Sequence, residues 1–70
     1  MTALSLRAQL ETAFALHQQG CFSEAASQYQ AVLSIQPDNF NALHMLGVLA
    51  LQNNNAEQAR ALIEQAAAIR

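Results

Sequence analysis

The side chains in this 70-residue chain best suited to metal or nucleophilic chemistry are His17, His44 and Cys21. A structural zinc needs four ligands at recurrent spacings, and no Cys or His pair here has such spacing. A nucleophile needs an adjacent base that is itself oriented by an acid. Cys21 with His17 is the nearest approach to that pattern, with Glu24 the closest acid, and a turn separates the thiol from the imidazole. No segment supplies an oxyanion site. Gly20 and Gly47 stand alone, so there is no glycine-rich loop to cradle a phosphate. These residues imply no catalysis, no cofactor and no metal. Cys21 reads as an ordinary reduced thiol, and the two histidines as polar groove or surface groups.

Charge narrows the function further. Only 11% of the residues are charged, against roughly 25% in an average domain. Lysine is absent, the basic residues are Arg7, Arg60 and Arg70, and the net charge is −2. The basic footprint that nucleic acid requires is missing. No stretch is apolar for long enough to span a bilayer, and the start at Met1 lacks a signal-peptide layout, so the expected location is cytoplasmic. A surface this poor in charge offers little electrostatic resistance to self-association.

Any site must be positioned by helices. Ala, Leu, Gln, Glu and Arg dominate between three break points, and no alternating β-branched run of strand length occurs. At Gln19-Gly20-Cys21-Phe22-Ser23, Gly20 suits the left-handed end of a helix and Ser23 suits the cap of the next. At Gln36-Pro37-Asp38-Asn39, Pro37 stops a helix and either Asp38 or Asn39 caps the following one. At Asn53-Asn54-Asn55, Asn54 is the left-handed candidate, and Asn55 with Gln58 has capping-box spacing. Helices are therefore expected near 3–19, 23–35, 40–52 and 56–69. The short connections make neighbours antiparallel. Apolar stripes run along each: Leu6, Leu10, Ala13, Phe14 and Leu16; then Ala25, Tyr29, Val32 and Leu33; then Leu43, Leu46, Gly47 and Ala50; then Ala59, Leu62, Ile63, Ala66 and Ile69. The first and third helices are apolar on more than one face, as a helix in a stack requires.

The chain repeats itself. A shift of 34 residues lays Ala13 on Gly47, Gly20 on Asn54, Ala25 on Ala59, Tyr29 on Ile63, Val32 on Ala66 and Ile35 on Ile69. Few of these are identities; residue class and turn placement carry the match. A helix–turn–helix unit with this period resembles the tetratricopeptide repeat. The second unit is similar to that pattern at Leu43, Leu46, Gly47, Ala59, Ile63 and Ala66. The first resembles it at Leu16, Gly20, Phe22, Ala25, Tyr29 and Pro37. Gln9 and Thr12 depart from it, standing where apolar residues are expected, so the first unit is either an atypical terminal cap or a degenerate repeat.

The resemblance implies an all-α fold: two helix–turn–helix repeats, four antiparallel helices stacked as a right-handed α-solenoid. It implies a single domain over 1–70, with one repeat at about 6–39 and another at about 40–70 that lacks its closing proline and a capping helix. It implies a non-enzymatic protein-interaction module whose concave groove is lined by the first helix of each repeat. The groove residues it assigns are Leu10, Phe14 and His17, with Arg7, Glu11 and Gln18 beside them, and Asn41, His44, Met45, Val48 and Leu51, with Gln52 beside them. The apolar centre suits an amphipathic helix or an extended apolar segment of a partner protein. The same apolar residues are equally readable as core between repeats. A carboxylate clamp is unsupported, because lysine is absent. A second implied role comes from the run Ala42–Ala50, which resembles repeats preceding bacterial glycosyltransferase domains of the N-acetylglucosamine-transferring kind; the chain would then be a substrate-recruiting arm. The uncapped last helix is expected to present Leu62, Ala66 and Ile69, and a homodimer through that end, or continuation as a longer bacterial scaffold, would cover them.

Overall fold

The computed structural model describes residues 3–69, with side chains from Leu6 onward. Four helices follow in order: α1 (Ala3–Gln18), α2 (Phe22–Ile35), α3 (Phe40–Gln52) and α4 (Ala56–Ile69). No strand occurs among the described residues. Arg70, where the second repeat was expected to end, lies outside them.

Two of the three breaks have one construction. At the first, Gly20 N–H donates to His17 C=O and Cys21 N–H donates to Leu16 C=O. At the other, Asn54 N–H donates to Leu51 C=O and Asn55 N–H to Ala50 C=O. This pair of bonds is the Schellman ending, which requires a left-handed residue after the last helical turn. Gly20 has φ +84° and Asn54 has φ 61°, the two left-handed positions described. Each turn thus satisfies the helix-end carbonyls in the same way, at the repeat offset.

Capping differs between the repeats. Asn55 opens α4 as expected: its Oδ1 accepts from Gln58 N–H at 3.3 Å, and its Nδ2 donates to Gln58 Oε1 at 2.9 Å. Asn39, rather than Asp38, caps α3, accepting from Ala42 N–H at 2.9 Å and donating to Gln36 Oε1 at 3.0 Å. The expectation for Ser23 is corrected. Helix α2 begins at Phe22 with Cys21 as its N-cap, and no side chain caps it. The reason is the Schellman turn, which makes Cys21 both the last residue of one motif and the first of the next, leaving Ser23 inside the helix.

Each hairpin packs on itself, α1 with α2 and α3 with α4, and α3 also packs against α2 and touches α1. Helix α4 packs on α3 alone. This is the contact pattern of two stacked hairpins, and it forms a slab of 32 × 29 × 16 Å. Helix α3 is buried on two faces, as its sequence demanded. Ala42, Leu46 and Leu49 join Leu6, Ala13, Ala25, Tyr29 and Val32 in the main core. Leu43, Gly47 and Ala50, one position further round, are buried on the other face, with Ala59 and Ala66 buried on α4.

Gly47 leaves α3 without a side chain where Ile63 of α4 lies against it. A Cβ there would lie 2.7 Å from Ile63 Cγ1 and 3.5 Å from the Ala59 carbonyl oxygen. Of the two departures in α1, Thr12 satisfies its hydroxyl on the Ala8 carbonyl at 3.0 Å. The Gln9 Oε1 atom is buried without a partner.

Two predictions follow from the turn and the close approach. Transplanting the working cap, Cys21→Asn, raises unfolding free energy by about 1 kcal/mol, whereas Gly20→Ala in the same turn lowers it by roughly 1 kcal/mol or more. Urea unfolding of both variants checks the opposite signs. Gly47→Val forces α3 and α4 apart and lowers stability by roughly 1–3 kcal/mol; Gly47→Ala stays near the parent chain, because a helix-propensity gain of about 1 kcal/mol offsets the displacement of Ile63, which is 36% exposed and has room to rotate.

Candidate functional site

A cleft of about 490 Å³ opens between α1 and α3. Its walls are Arg7, Leu10, Glu11 and Phe14 from one turn-spaced face of α1, and Asn41 and Met45 from α3. Tyr29 of α2 completes the lining. The spacing explains the assembly: residues 7, 10, 11 and 14 lie three or four apart and share a helix face, as do Asn41 and Met45. Leu10 and Met45 are half-buried and also pack on the main core, so they are at once core and wall. Phe14 is 47% exposed. Of the residues the sequence left readable as core or partner-facing, Leu10 and Met45 pack on the core and Phe14 is exposed.

The other groove residues from the sequence lie outside this cleft. Val48 is half-buried, Leu51 is 54% exposed, and both follow Met45 along α3. His17 lies at the far end of α1, and its Nε2 is hydrogen-bonded with Gln52 Oε1 of α3 at 2.7 Å. The other ring nitrogen, Nδ1, is buried without a partner among the described residues. The ring also meets Phe22 edge-on, with centroids 5.6 Å apart. His17 therefore ties the two repeats together, and its imidazole is engaged within the fold. His44 is exposed and stacks on Phe40, with centroids 5.7 Å apart and planes within 4°.

Sequence reasoning missed Tyr29 as a cleft residue. It stood in the apolar stripe of α2 and is indeed core, only 1% exposed. Yet its hydroxyl has no hydrogen-bond partner among the described residues. A buried tyrosine normally finds one, and that rule was the available signal. Burial pushes its pKa upward from the usual phenol value, because the anion would be desolvated. The hydroxyl stays protonated and can donate.

The last helix differs from expectation in one respect. Ile69 is 43% exposed and Leu62 half-buried, but Ala66 is 2% exposed. A small side chain facing α3 is covered by that helix, so Ala66 supports the hairpin instead of presenting itself at the open end. Ile63 is 36% exposed and lies against Gly47 of α3.

No group of three or more His, Cys, Asp and Glu that could hold a metal ion occurs among the described residues. None of the described helices is long and apolar enough to cross a membrane. A family model described as tetratricopeptide repeat matches residues 16–70. The match begins at Leu16, after the stretch of α1 that carries Gln9 and Thr12. No curated protein and no solved structure matches the chain.

The His17–Gln52 bond is open to a direct check. A double-mutant cycle with His17→Ala and Gln52→Ala is expected to give a coupling of about 0.5–1 kcal/mol in unfolding free energy. Additive losses would mean that the bond does not join the repeats.

Proposed function

We propose a function from one premise: this chain belongs to the tetratricopeptide repeat family. Stacked helical repeats present extended concave surfaces to other proteins, and the chain acts as a protein–protein interaction module. Its partner-binding surface is the α1–α3 face, with Leu10, Phe14 and Met45 as the apolar centre and Val48 and Leu51 extending it along α3. His17, Asn41 and His44 stand as polar positions on the same two helices. The observation that carries this reading is the cleft itself, apolar in its middle and left open beside Phe14 at 47% exposure. Large apolar side chains held in a concavity mark a recognition surface more specifically than single exposed leucines do.

A second surface is proposed for self-association. Helix α4 packs only on α3, so its outer side, with Ile69 and part of Leu62, is covered by a second copy of the chain; Ala66 contributes by holding α4 in place. The low charge of the chain favours this pairing.

The two surfaces separate by substitution. Phe14→Glu places a charge at the cleft and lowers retention of a partner captured from the source cell by about tenfold or more, with helicity and dimer unchanged. Ile69→Glu has the reverse effect: light scattering shows a monomer, and partner retention persists. Equal retention by the Phe14→Glu and parent chains contradicts the groove, and a parent chain that stays monomeric at high concentration contradicts the self-association.

A further inference from the structure

Resting on the reading of the cleft as a partner site, we infer that Tyr29 is a specificity-determining residue that donates a hydrogen bond to a backbone carbonyl of the bound partner, so that the cleft takes an extended apolar segment in preference to a helix. Three observations support it. First, Tyr29 lines the cleft while its hydroxyl is buried and unpartnered among the described residues. An unsatisfied buried donor is destabilising, and an incoming acceptor removes that penalty. Second, a phenol is protonated at neutral pH and burial raises its pKa further, so the hydroxyl offers a donor. Third, the cleft joins apolar walls to Arg7, Glu11 and Asn41, a cation, an anion and an amide close together. That set matches the alternating C=O and N–H groups of a peptide backbone.

An α-helical partner has its backbone groups satisfied internally and shows only side chains to the groove. It would leave Tyr29 as unpaired as before. An extended segment has free carbonyls and N–H groups along its length. Entry requires the lining side chains to shift, and Met45, unbranched with three rotatable bonds, is the wall residue best able to do so.

The test uses two probes on the chain and on Tyr29→Phe: a capped leucine dipeptide amide, too short to form a helix, and a stapled amphipathic helix with a leucine face. Binding is followed by amide chemical shifts at residues 7–14 and 41–45. The dipeptide amide is expected to bind the parent chain and to bind Tyr29→Phe roughly three- to tenfold more weakly. Tyr29→Phe should melt at or above the parent temperature, since it loses only an unpaired hydroxyl, which shows that the weaker binding is not unfolding. Equal affinity of the dipeptide for both chains overturns the inference and leaves the cleft standing. So does binding of the helix alone. Failure of both probes to perturb these residues overturns the inference together with the reading of the cleft.

Discussion

The structure depends on how closely helix backbones can approach. Gly47 lies so near α4 that even a single added carbon would meet Ile63 at 2.7 Å. Ala59 across from it is 1% exposed. In the first hairpin Ala13 and Ala25 hold the equivalent positions, and both are completely buried. Small residues at these points let a hairpin close tightly, and dispersion across a close-packed seam replaces the bulky core that a 70-residue chain cannot fill. The turns at Gly20 and Asn54 close both hairpins with the same left-handed hydrogen-bond pattern.

Tight hairpins have a consequence at the surface. With α3 buried on two faces, against α2 and against α4, its third face meets α1 only lightly. The gap between them becomes the cleft, and the side chains bridging it, Leu10 and Met45, serve the core and the wall together. The hydrogen bond from His17 to Gln52 spans the same two helices at the other end. On the proposed reading of the cleft, stability and recognition are coupled in α1 and α3: a ligand there would add contacts between the two helices that pack most lightly and so stabilise the folded chain.

Much of this was legible in the sequence. Helix limits, the left-handed positions and the Asn55–Gln58 cap follow from local chemistry, because turns and caps are decided by neighbouring residues. The repeat offset supplied the stacking, since a helix apolar on two faces must be covered twice. The residues that escaped are those whose environment depends on a distant helix. Ser23 looked like a cap until the preceding turn took Cys21 for that position. Ala66 looked available at an open end, and its size instead seats it against α3. Tyr29 read as one more apolar stripe residue; only the three-dimensional packing shows its hydroxyl without a partner. Gln9 was visible as a departure, and the buried, unpaired Oε1 shows its cost.

The central claim is that the α1–α3 cleft is the face other proteins meet. The most direct measurement places a photo-crosslinking amino acid at position 14, in the cleft, or at position 30, an exposed site on α2, and activates it in the source cell. The account predicts crosslinks to a separate protein from position 14 and none above background from position 30. Crosslinks from position 30 with none from position 14 would contradict it.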